Sequence, residues 1–212
     1  MLKHRALPLA AALSVAGLAA SGCTEQSAAV RVGDDSVSQS DLYEELDLIA
    51  GDDDFRAATV GPDVTEESLR GDLAGSYAQE FVATVLGQRV VYLLAGDVLA
   101  DEGIEVTDDD RAAVLAQIDQ ILPEGADSLP DGYRDDFVEG LARLDKLQTE
   151  LGTDSANQAL REKATSTDID VASQFGRWDD DELTIEPPPG PASAPGRSGG
   201  GEGEPAGDSG GG

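Results

Sequence analysis

Histidine, cysteine and tryptophan each occur once in this 212-residue chain, and lysine occurs only at positions 3, 146 and 163. The sole histidine, His4, sits at the extreme N-terminus, so a Ser–His–Asp or Cys–His arrangement has no base in the body of the chain. The sole cysteine, Cys23, excludes an internal disulfide and a cysteine-cluster metal site. Aromatic residues make up 4%, too few for a large aromatic core. Basic residues number 14 against 43 acidic ones. The resulting net charge of -29 excludes a sequence-independent nucleic-acid binder, which needs a basic footprint against phosphate. No Gly-x-Ser-x-Gly elbow is present, and no Asp-x-Asp-x-Asp-Gly loop with a distal glutamate. These absences predict a protein that is not an enzyme, with no catalytic residue, metal, cofactor, nucleic-acid partner or small-molecule substrate.

What is present begins with an export signal over residues 1–22. Lys3, His4 and Arg5 form a positive start, Ala6 to Ala20 is largely apolar, and Ala20, Ser21 and Gly22 are small. Such a segment is too short and wrongly flanked for a stable membrane span. The next residue is Cys23, and an unpaired cysteine in an exported chain is a liability unless it is used. Leu18-Ala19-Ala20-Ser21-Gly22-Cys23 resembles a bacterial lipobox, with Ala20 where that motif prefers leucine. The resemblance implies cleavage before Cys23, lipid attachment at Cys23, and anchoring to the extracytoplasmic face of the cell membrane. Two acyl chains hold stably where one is marginal. With no twin-arginine pair, the general secretory route is expected. At the other end, Glu186 to Gly212 holds 10 Gly and 6 Pro and no apolar side chain larger than Ala or Pro. It cannot bury enough surface to offset its ordering entropy, and a disordered acidic tail over 186–212 is expected. Residues 23–185 are left for one modest domain.

Within that body, Val30 and Val32 alternate with polar residues up to Gly33-Asp34-Asp35, which predicts two short strands around a turn. Ser38 or Ser40 caps a helix carrying Leu42, Leu46 and Ile49 on one face and ending at Gly51. Residues 51–64, with three Asp and Gly61-Pro62, have the composition of a connection. From Thr65 the apolar residues Leu69, Leu73, Tyr77, Phe81 and Val85 recur every four positions and continue to Leu99, predicting one helix of about 35 residues. Gln88 and Arg89 inside it argue against a membrane span. Thr107 caps a further helix bearing Val114, Leu115, Ile118 and Ile121, with Asp108 to Asp110 at its positive end. Another helix is expected over about 130–151, stopped by Gly152, and a shorter one from Asp154 to about Lys163. Asp168 to Val171 is extended, with Ile169 and Val171 alternating with Asp168 and Asp170; the pieces around Val30 and Val32 share that alternation, so the two are expected to pair. Phe175-Gly176-Arg177-Trp178 leads through an acidic run into the tail. There is no internal repeat.

The order of these elements resembles a known family. Val30 to Leu42, as strand, glycine turn, strand and capped helix, is similar to the start of the SurA-type and PrsA-type extracytoplasmic chaperones. Glu102-Gly103-Ile104-Glu105-Val106-Thr107-Asp108 resembles the landmark between their next two helices. Ile169-Asp170-Val171 with Phe175-Gly176-Arg177-Trp178-Asp179 is similar to the closing segment of small actinobacterial lipoproteins of this group. The resemblance covers residues 29–180. It implies a mostly α fold: a single helical domain of the SurA N-terminal kind, with one long helix and a small β element joining the N- and C-terminal segments. It also implies binding of unfolded or exported polypeptides. In longer relatives a parvulin-type prolyl isomerase domain follows, but about 16 residues separate the last long helix from the closing strand here, and the mature chain has no histidine. Isomerase activity is therefore not expected.

Three Asp triplets, at 52–54, 108–110 and 179–181, suggest calcium, but consecutive carboxylates point in different directions, and solvated turns and helix starts are the expected roles. Tyr77, Phe81, Tyr133 and Phe137 offer a peptide groove, although aromatic residues at helical spacing more often form core. Two functions follow: a membrane-tethered holdase, or an accessory envelope lipoprotein docking one fixed partner.

Overall fold

A computed structural model describes residues 27–73, 75–122 and 124–189; Cys23, the expected signal segment and the residues beyond Pro189 lie outside them. The described chain is mostly helical, with a small sheet at one end. β1 (Ala28–Val32) and β2 (Asp35–Ser38) form a hairpin around Gly33–Asp34. α1 (Gln39–Gly51) follows, with the Ser38 hydroxyl accepting from the Asp41 amide. Far along the chain β3 (Ile169–Val171) returns to pair antiparallel with β1, placing Val30 opposite Val171 and Val32 opposite Ile169. The order β2-β1-β3 thus joins the two ends of the domain, as their shared alternation predicts.

Two expectations are corrected between residues 51 and 102. The segment after Gly51 is not a plain connection: it contains α2 (Asp53–Thr59), started by Asp52, whose carboxylate accepts from the Phe55 amide at 2.8 Å. Aspartates that look like loop composition act here as cap and first turn. The helix expected from Thr65 is two pieces. α3 (Glu66–Leu69) is a single turn, and α4 (Gln79–Glu102) starts ten residues later. Between them the backbone doubles back, with Arg70 bridging Tyr77 and Gly71 bonding Ser76. A side chain at Gly71 would collide with Ser76 and come 2.9 Å from the Tyr77 carbonyl, so glycine permits the reversal. The four-residue apolar spacing persists across this break because Leu69, at the end of α3, and Tyr77, in the bridge with Arg70, both reach the core, whereas Leu73 between them is exposed.

α4 is the central element, packed on α1, β1 and the later α6, α7 and β5. It is long and apolar enough to cross a membrane by length and composition alone, but the window that passes is 61% buried within the domain. An all-round apolar helix surrounded by others is the expected soluble-core pattern. Gly103, in left-handed conformation at φ 67°, ends it. α5 (Asp108–Ile121) opens on a capping box between Thr107 and Asp110. A 3-10 turn (Ala126–Ser128) leads to α6 (Asp131–Leu151), then α7 (Thr153–Ser166), which begins at Gly152 rather than from an Asp154 cap. α6 lies so close to α4 that a Cβ on Gly140 would strike the Tyr92 ring.

The last correction concerns the C-terminal end. The acidic run after Trp178 is the loop of a hairpin, β4 (Arg177–Asp179) with β5 (Thr184–Glu186). The Asp179 carboxylate turns it by accepting from the amides of Asp181 and Glu182, both at 3.0 Å. Ile185 inserts into the core, 5% exposed. Glu186, expected in the tail, is the last residue of β5 and pairs with Arg177.

Candidate functional site

Four helices leave a groove of about 330 Å³ between them. Phe55 and Ala58 of α2 form one wall, Val114, Ile118 and Ile121 of α5 the other, and Phe137, Leu141 and Leu144 of α6 the floor. Phe55 is fixed by edge-on contacts with Phe137 and Tyr133, at 5.7 and 5.8 Å between ring centroids. Tyr133 and Phe137 stack at 5.6 Å. Ile121 is 60% exposed, so the groove opens to solvent at the C-terminal end of α5. Its polar edge is mostly amide, from Gln88, Gln117 and Gln148, with the single carboxylate of Asp145.

An apolar floor with amide edges suits burial of side chains together with hydrogen bonding to a peptide backbone, since an amide both donates and accepts. One aromatic or two branched aliphatic chains would bury on the order of 150–250 Å², about 4–6 kcal/mol. Association costs of similar size leave a weak, reversible contact. The lining residues include no nucleophile paired with a base.

Behind the groove lies a polar network absent from the sequence-based expectations. Glu45 of α1 is 7% exposed and pairs with Arg89 of α4, Oε2 to Nε at 2.8 Å. The Tyr133 hydroxyl donates to Glu45 Oε1 at 3.1 Å, and the Arg89 guanidinium lies 5.3 Å above the Tyr133 ring. Burial pushes the Glu45 carboxyl above its ordinary value, against the pull of Arg89. Burial likewise pushes the Tyr133 hydroxyl far up. One unit tethers α1, α4 and α6, the last two of which line the groove. A sequence signal existed: Glu45 lies three residues after Leu42 and four before Ile49, on the apolar face of α1. Arg89 likewise falls four after Val85 and three after Leu86.

The four aromatic residues expected as groove or core divide between two places. Tyr77 and Phe81, 8% and 5% exposed, are core and meet edge-on at 5.9 Å. Phe137 lines the groove, and Tyr133 packs behind it against Phe55 and Phe137. Phe55, Ile121 and the glutamines were not anticipated as site residues. Ile121 was visible only as the end of an apolar stripe, and Phe55 was hidden in an Asp-rich stretch. The Asp triplets each have a local structural role, as caps of α2 and α5 and as the β4–β5 turn. Among the described residues no group of three or more candidate ligands is placed to hold a metal ion. Cys23, the expected lipid site, lies outside the described residues.

No protein-family model matches the chain, and no curated protein or solved structure shows significant similarity to it.

Proposed function

We propose that this protein is a membrane-tethered extracytoplasmic lipoprotein, anchored through lipid on Cys23, whose domain is of the SurA N-terminal kind and holds non-native polypeptide without isomerase chemistry. The observation that carries this reading is the groove: an apolar floor that opens to solvent at Ile121, with amide edges suited to any backbone. The order of elements supports the family assignment, from the capped α1 through the Gly103 turn to a closing strand paired with the first. The anchor rests on the lipobox-like run ending at Cys23. The acidic surface favours basic stretches of exported chains as clients.

The direct test is suppression of aggregation. The mature chain, added in excess to a denatured model protein diluted from guanidinium, keeps it in solution; unchanged light scattering would refute the holdase. The anchor is tested separately: Cys23→Ser moves the protein from the membrane to the soluble fraction, and continued membrane retention would contradict lipid at Cys23.

A second reading, an accessory lipoprotein docking one fixed partner, draws on the scatter of exposed large apolar residues. Tyr43, Leu73 and Ile121 lie on separate segments rather than in one stripe. It predicts no protection of unrelated unfolded proteins.

A further inference from the structure

A second cleft, of about 310 Å³, shares no lining residue with the groove. Tyr43 of α1, Tyr77 and Phe175 form its aromatic surface. The Tyr43 ring lies 6.5 Å from Tyr77 and 6.3 Å from Phe175. Tyr77 and Phe175 are buried, whereas Tyr43 is 42% exposed. Ser76, Gln79 and Gln174 supply polar groups at the rim, and Gly75, Val82 and the chain's own Pro188 complete the lining. Pro188 is half-buried, while Pro187 and Pro189 on either side are exposed.

The occupant follows from the residues that come next. β5 ends at Glu186 and delivers Pro187-Pro188-Pro189-Gly190-Pro191. Each proline fixes its own φ and pushes the preceding residue into extended or polyproline II backbone. A polyproline II helix has three residues per turn, so Pro188, Pro191 and Ala194 fall on one ridge. Its carbonyls have no internal partners, and aromatic-lined grooves with polar rims are the usual receptors for this conformation. The stiff segment has little entropy to lose on docking. The described residues end at Pro189, beside the cleft, with residues 190–212 still to follow.

We propose that the cleft between Tyr43, Tyr77 and Phe175 is a polyproline II docking site, and that its occupant is this chain's own segment Pro187–Ala194, with Pro188 and Pro191 seated on the aromatic rings.

The test is NMR on the mature chain with Cys23→Ser, which keeps every other residue and avoids lipid. Contacts are expected between the Pro188 and Pro191 δ protons and the rings of Tyr43 and Phe175. Backbone order parameters of Ala192 to Ala194 should exceed about 0.6, with those of Gly201 to Gly212 below it. Tyr43→Ala should release Ala192 to Ala194 to the level of the glycine-rich end while shift dispersion elsewhere is kept. Pro188→Ala with Pro191→Ala, made outside the helical body, should release them equally. Ala192 to Ala194 as mobile as the glycine-rich end in the unaltered segment, or unmoved by both sets of changes, would overturn the proposal.

Discussion

Trp178 holds the C-terminal hairpin against the helical core. It stands in β4, opposite Ile185, and is half-buried against the core. Its Nε1 is buried without a hydrogen-bond partner among the described residues. Truncation to alanine is expected to cost about 2–3 kcal/mol, below the roughly 3–5 typical of a fully buried large aromatic. Trp178→Phe should cost under about 1 kcal/mol, because it removes an orphaned donor whose burial is itself unfavourable. Chemical denaturation checks both, and a loss below about 1 kcal/mol for Trp178→Ala would place the ring on the surface rather than in the closure. Glu45 gives a pH signature. A carboxyl raised on folding supports the folded state most below its unfolded value, near 4.5, and that support is lost as pH climbs through the raised value. Glu139 and Asp110 act in the opposite sense. The Glu139 carboxyl is held low by Arg111 and Arg143 in spite of burial, and that of Asp110 is held low by hydrogen bonds from Thr107. Their support is present at neutral pH and lost on acidification. The stability difference between wild type and Glu45→Gln should therefore shrink as pH rises from 4 to 7. A difference that grows over that range would mean the Arg89 pair outweighs the burial of the carboxyl.

At the scale of elements, the contact of α4 with α6 is set by glycine. Gly→Ala inside a helix ordinarily stabilises by about 1 kcal/mol, and Gly132, with nothing within 4 Å of an added Cβ, should follow that rule. At Gly140 the same change drives a methyl group into the Tyr92 ring, and overpacking of this kind costs about 1–3 kcal/mol. Thermal denaturation should show Gly132→Ala melting higher than wild type and Gly140→Ala lower; equal rises would mean that the two helices can separate freely. The helix ends were legible in the sequence because capping is local: Ser38, Thr107, Gly103 and Gly152 each act where their chemistry places them. The strand pairing of β1 with β3 was legible through matched alternation. The break at 70–78 was not, because Leu69 at the end of α3 and Tyr77 after the reversal both point into the core and so preserve a helical spacing across a stretch that is not helix. The β4–β5 hairpin was hidden by its acidic turn, where Asp179 acts through backbone amides that composition does not reveal. The groove needs α2, α5 and α6 together, and no short window of sequence contains that juxtaposition.

For the whole molecule, the architecture places a central helix under layers that leave one apolar groove open, in a chain whose net charge of -29 keeps its surface hydrated and repels other acidic chains. The proposed holding of polypeptide requires weak individual contacts and a solvent-accessible entry, a place that the exposed Ile121 would fill. Its side chain contributes about 2 kcal/mol when covered by a client, and a glutamate in its place removes that and adds a charge that must be desolvated. Because Ile121 is already 60% exposed, the replacement leaves the domain folded. The decisive measurement is an equilibrium titration of a fluorescently labelled, permanently unfolded polypeptide into the mature chain and its Ile121→Glu variant. Saturable binding weakened at least about tenfold by the variant, equivalent to about 1.4 kcal/mol, is the predicted result, whereas equal affinities, or no binding to the mature chain, would contradict the groove as a polypeptide site.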